Sequence, residues 1–148
     1  MAVVCVGQSA YDIVIPYDGE LTENQKYRVR DRLECGGGPA MNAAYLCALW
    51  GEETSLISRI GDDDYGKKLK KILREAGVDT AHLVEEDGIE TPYSIILSNT
   101  GNGARTIFNF PGEIRYRQYT YPKLDVSVIL SDGHLPKLSI GAIEEYPS

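Results

Sequence analysis

The residues best placed to do chemistry are an early aspartate and a glycine run that opens a helix. Asp12 follows a short apolar segment, Gly7 and a turn. A carboxylate there can accept hydrogen bonds from two adjacent hydroxyls, which is how proteins grip sugars. Its other reading is a turn aspartate that bonds local N–H groups. Gly36, Gly37 and Gly38 precede Pro39, and Ala40–Trp50 holds one strongly polar side chain, Asn42. Backbone free of side chains lets a small molecule come close, and an amide in the first helical turn can read a hydroxyl at the positive end of the helix. The bland alternative is a loop needing φ > 0 and an asparagine that satisfies nearby backbone. Asp132, before Gly133, is either a further substrate carboxylate or a turn residue. Tyr11 could stack on a base, or simply pack.

One stretch mimics a phosphate loop. Gly61–Lys68 reads GDDDYGKK, but Lys68 stands where a Walker A loop needs a hydroxyl for Mg²⁺, and the aspartates would repel phosphate. An EF-hand is excluded too, because position twelve counted from Asp62 is Leu73 rather than glutamate. A capped helix start remains. After Gly38 the dinucleotide fingerprint also fails, with Ala40 and Met41 in place of its later residues.

The elements that must position these residues follow from pattern. Ala2–Val6 is a continuous apolar run, as in a strand buried on both faces. Asp12–Tyr17 reads as a strand, and Tyr27–Arg32 alternates strictly, which predicts a second strand with one wet face. Pro39 suits the first helical position and Gly51 the residue after the last, giving a helix roughly 18 Å long. It carries no charge, so it is expected to be buried on most sides. Ser55–Ile60 is a strand, and 64–76 an amphipathic helix with Tyr65, Leu69, Ile72, Leu73 and Ala76 on one face. His82–Glu86, Tyr93–Ser98 and Arg105–Phe110 read as strands, the last two flanking the hairpin signal Asn99–Gly103. Val126–Ser131 returns to a buried sheet, and His134–Ser148 shows no clear period. The order predicts an α/β core with a smaller, one-sided β-sheet built from two insertions.

The spacing of Gly37-Gly38, Asn42, Ala44, Gly51 and Gly61, followed by GDDDYGKKLKKILREAGVDT, resembles the ribokinase-like (PfkB) family of carbohydrate kinases. The resemblance covers the chain to about Gly133 and implies one partial ribokinase-like domain over 1–148. Its parallel-sheet core would be incomplete, with lid insertions at about 12–33 and 82–112. It implies that Asp12, Gly37, Gly38 and Asn42 hold a sugar or nucleoside and that Ser94 and Ile96 close the lid over it. The family often has asparagine two residues before the aspartate, where this chain has Ala10; ribokinase has lysine where this chain has Pro39. ATP and Mg²⁺ are implied for a parent about twice this length. The family's catalytic aspartate sits in a Gly-Ala-Gly-Asp motif, and the nearest match, Arg59-Ile60-Gly61-Asp62, lacks the first glycine. No residue is therefore assigned as catalytic and no metal ligand is named. The expectation is a fragment or truncated product, or a multimer, since ending soon after 126–131 leaves an apolar sheet edge unpaired. A non-catalytic binding module that forms a homodimer through its lid is the rival.

Composition sets the outer bounds. The 148 residues are 43% hydrophobic and 25% charged, with a net charge of −7. That balance argues against nucleic acid or anionic membrane as the main partner. No apolar run reaches membrane-spanning length, and the start lacks the basic region of a secretion signal. Cys5, Cys35 and Cys47 are unpatterned, as expected of buried, reduced thiols in a cytoplasmic protein.

Overall fold

A computed structural model describes residues 2–113 and 118–146. The strands are β1 (Ala2–Val6), β2 (Ala10–Tyr17), β3 (Leu33–Gly37), β4 (Glu53–Gly61), β5 (Leu83–Glu86), β6 (Tyr93–Asn99), β7 (Arg105–Phe110) and β8 (Val128–Ser131). The helices are α1 (Pro39–Leu49), α2 (Asp64–Glu75) and α3 (Pro136–Glu145). Two sheets result. A parallel sheet has the order β5-β4-β1-β8, and a mixed sheet the order β3-β2-β6-β7. The expected α/β core with a small β lid is what forms.

The parallel sheet is covered on both faces, as its apolar strands require. Val3 and Cys5 of β1 pack toward α1 and α2, with Met41, Ala44, Leu56, Leu69 and Leu73. Val4 and Val6 point the other way, toward Ile57 and the α3 residues Leu138 and Ala142. Each fully buried leucine contributes roughly 1.5–3 kcal/mol. α2 starts where Asp63 caps it, its carboxylate accepting from Gly66 N at 2.8 Å. That carboxylate also accepts from Thr91 N at 2.8 Å and Thr91 Oγ1 at 2.6 Å, so one cap ties α2 to the segment entering β6. The mixed sheet leans on α2 through aromatic rings. Tyr11 stacks on Tyr65 at 4.6 Å, and Tyr93 stacks on Phe110 at 4.3 Å. Tyr11 is buried, so it packs rather than offering a face to a base.

Five expectations need correction. Residues 27–32 form no strand; β3 lies at Leu33–Gly37 and pairs with β2 from Ala10↔Gly37 to Val14↔Leu33. The alternation at 27–32 finds no apolar surface to cover, and Tyr27 and Val29 stay exposed. α1 is not buried on most sides. It docks through Ala40, Met41 and Ala44, while Leu46, Leu49 and Trp50 are exposed, Trp50 at 71%. α3 occupies the stretch read as aperiodic: its inward stripe includes small Ser139 and Ala142, and exposed Ile140 and Ile143 mask the period. Of the thiols, all free, Cys5 is buried but Cys35 is exposed. β5, within the second expected insertion, pairs with β4 in the parallel sheet, so lid strands on that segment start at Tyr93.

Candidate functional site

The turn between β3 and α1 gathers the residues singled out from the sequence. β2 and β3 pair antiparallel, which puts Asp12 across from Cys35. The Asp12 carboxylate stands where a Cβ on Gly37 would go, so a larger residue there would have to push the carboxylate aside. Gly38 is the residue before the helix, at φ 89, and a Cβ on it would meet the Gln8 carbonyl. Both facts explain the glycine pair: one position needs space, the other a left-handed backbone. β2 and β6 run parallel, which brings Ser94 beside Asp12. Burial pushes the Asp12 carboxyl above its ordinary value, and the hydrogen bond from Ser94 partly offsets this. The Ser94 hydroxyl in turn accepts from Asn109 Nδ2 at 3.3 Å. Ile96, two residues along the same face of β6, is also buried. Asp12, Gly37, Ser94 and Asn109 therefore form one polar strip on the lid.

Asn42 sits elsewhere. Its backbone N–H donates to Gly38 O at 2.9 Å, and its exposed side chain lines a cavity of about 380 Å³ with Glu34, Cys35, Gly36, Met41 and Tyr45. Glu34 there accepts from Tyr11 Oη at 2.7 Å, Arg32 Nε at 2.7 Å and Lys68 Nζ at 2.9 Å. Those donors, Lys68 foremost, hold its carboxyl at about 2, too acidic for a base near neutrality.

Asp132 is placed on the opposite side of the same turn. Its Oδ2 accepts from Gln8 N at 2.8 Å and Ala40 N at 3.0 Å, and its Oδ1 from His134 N at 2.8 Å. One carboxylate thus clamps the ends of β1 and β8 to the start of α1. It also occupies the anion-favouring N-terminus of that helix.

A further cavity, about 370 Å³, opens at the carboxyl ends of the parallel strands, where ligands bind in open α/β sheets. Beside Ser9, its polar lining is Gln8, Arg59, Glu86, Asn109, Glu113 and His134. Arg59 and Glu86 form a buried ion pair. None of these six was singled out from the sequence. The available signals were a guanidinium inside the otherwise apolar strand Ser55–Ile60 and a carboxylate ending the strand beside it. Asn109 belongs to both this cavity and the Asp12–Ser94 strip, so the two are continuous.

The ATP and Mg²⁺ implied by the resemblance find no fitting group among the described residues. The α1 N-terminus is filled by Asp132 and the Gly61–Gly66 loop by Asp63. No group of three His, Cys, Asp or Glu among the described residues could hold a metal ion. What these side chains can do is accept and donate hydrogen bonds to a polyhydroxylated ligand.

Known proteins resemble this chain closely enough to place it. It is 43% identical over 61 residues to a fructoselysine 6-kinase of Escherichia coli, a match covering 41% of this chain and 23% of that one. It is 26% identical over 113 residues to a nucleoside kinase of Methanothermobacter thermautotrophicus, covering 76% and 36%. The chain thus spans about a quarter to about a third of these relatives' length. The fold superposes on a fructokinase from Halothermothrix orenii with a TM-score of 0.79, at 20% identity, over 98% of this chain and 53% of that one. Residues 2–127 match the pattern described as pfkB family carbohydrate kinase. The chain belongs to the pfkB family of carbohydrate kinases.

Proposed function

We propose that this chain is the substrate-binding portion of an ATP-dependent sugar or nucleoside kinase that phosphorylates a substrate hydroxyl. The observation that carries the reading is Asp12: a half-buried carboxylate, raised in pKa by burial, beside a glycine that leaves it room. An ionised group in that position is stabilised by hydroxyl donors from a ligand. Gly38 extends the grip toward α1, Ser94 and Ile96 close it from the lid, Asp132 holds the turn in place, and Asn42 faces a separate cavity beside it. ATP with Mg²⁺ supplies the phosphoryl group in the whole protein, which works in the cytoplasm; free thiols and the absence of a long apolar helix among the described residues agree with that.

The experiment is a thermal-shift panel of sugars and nucleosides. A ligand at a hundred times its Kd adds about 2.7 kcal/mol of stability. A shift with at least one of them supports the reading; no shift with any overturns it.

One observation favours a second reading, a non-catalytic module that dimerises through its lid. β7 is an edge strand of the mixed sheet, and Ile107, Phe108 and Phe110 on it are exposed. An apolar edge of this kind invites another strand. Sizing by light scattering separates the two, since Phe108→Lys would dissolve a lid-mediated dimer and leave a monomer unchanged.

A further inference from the structure

The strand-end cavity contains a buried acceptor for which the fold supplies no donor. Glu86 ends β5, lines the cavity and is 4% exposed. Its Oε1 pairs with Arg59. Its Oε2 has no hydrogen-bond partner among the described residues. A buried carboxylate oxygen in that state is costly. Arg59 already pairs with this carboxylate, so the missing element is a hydrogen-bond donor rather than a second counter-ion. Four donors around the cavity are engaged elsewhere. Ser9 Oγ donates to Ser58 Oγ at 2.9 Å, and Asn109 Nδ2 to Ser94 Oγ at 3.3 Å. The backbone N–H groups of Gln8 and His134 donate to Asp132. The donor for Oε2 is thus left to a guest in the cavity. Its volume of about 370 Å³ lies within the range of small-ligand sites, roughly 300–1,000 Å³. A neutral hydroxyl meets the need without disturbing the ion pair.

We infer that Glu86 is a second carboxylate that grips the sugar, its Oε2 accepting one ligand hydroxyl in the cavity while Asp12 accepts another on the lid. The inference rests on the sugar-binding reading for its ligand, and on Glu86 and the cavity for the contact. Asn109 joins the two regions, since it lines the cavity and also reaches Ser94. The two carboxylates belong to different sheets, Asp12 to the mixed sheet and Glu86 to the parallel one. A sugar held by both bridges lid and core. A site built to hydrogen-bond a hydroxyl rejects the analogue that lacks it. Glu86 therefore sets specificity at the carbon whose hydroxyl it takes.

The test is calorimetric binding of fructose, ribose and the monodeoxy analogues of each to wild type, Glu86→Gln and Asp12→Asn. Wild type should lose at least about tenfold in affinity at one deoxy position, the size of one hydrogen bond to a charged group. Glu86→Gln should bind the parent sugar about as weakly as wild type binds that analogue, and the analogue no more weakly still. The position that answers to Asp12→Asn in the same way should be a different one. If every deoxy penalty persists undiminished in Glu86→Gln, as a water on Oε2 would give, the inference is overturned and the sugar reading stands. If one position answers to Glu86 and none to Asp12, the cavity contact stands and the reading carried by Asp12 fails. If wild type binds none of these sugars, both fail. Should Glu86→Gln not fold, Glu86→Asp keeps the charge and draws the carboxylate back by one methylene. It must remove the same penalty, and a penalty that survives overturns the inference.

Discussion

Asp12 and Asp132 flank the same glycine turn from opposite sides, and their surroundings differ. Asp132 accepts three backbone N–H bonds, from Gln8, Ala40 and His134. Asp12 has the Ser94 hydroxyl, and burial raises its pKa. A carboxylate saturated by backbone fixes the scaffold. One left short of donors is unfavourable alone and is relieved by a ligand. The contrast separates residue type from role: both are aspartates at the helix entrance, yet one belongs to the parallel core and the other to the lid.

Several substitutions would break or sharpen that contrast. The largest effect is expected from Gly38→Ala, which breaks the shared turn. Its φ of 89 penalises a side chain, and the Gln8 carbonyl blocks the space a methyl group would take. Left-handed strain and overpacking together should cost about 2–5 kcal/mol in urea unfolding. Asp132→Ala breaks the scaffold side alone. It strands three donors and should cost about 2–3 kcal/mol by the same measurement.

Asp63 provides a second saturated carboxylate on which to check the rule. Burial opposes its ionisation, but hydrogen bonds from Thr91 and Gly66 outweigh this and lower its pKa. A lowered carboxyl pKa contributes stability that is present above the ordinary value of 3.8 and is lost as pH falls through the folded value. Asp12, raised, has the opposite sign: the stability it withholds at neutral pH returns on acidification. Asp63→Ala should therefore cost about 1–2 kcal/mol at pH 7 and flatten the acid limb of a Tm-against-pH curve. A steeper acid limb in the variant would contradict the rule.

The sequence pattern carried the scaffold further than the site. β1 was legible as an unbroken apolar run, and α2 as a 3.6-residue period with a cap. Pro39 and Gly51 marked the ends of α1 closely, because each acts through its own backbone. How much of α1 is covered was not legible, since covering depends on neighbours: Leu49 and Trp50 meet nothing among the described residues that buries them. β3 was misplaced because alternation at 27–32 mimics a strand, while the real pairing runs into the glycines. Asp12, Gly37 and Ser94 were found one by one, and the structure brings them together. Asn42 lines a different cavity. Arg59 and Glu86 meet only because β4 and β5 align in parallel, a register that no local signal encodes.

The most direct test of the account is calorimetric titration of wild type and Asp12→Asn with the sugar that gives the largest thermal shift. The substitution should not lower the unfolding free energy at pH 7, because it removes the ionised form that burial disfavours. It should weaken sugar binding at least about tenfold, since a hydrogen bond to a charged acceptor is lost. Unchanged affinity in a folded Asp12→Asn protein would contradict the account.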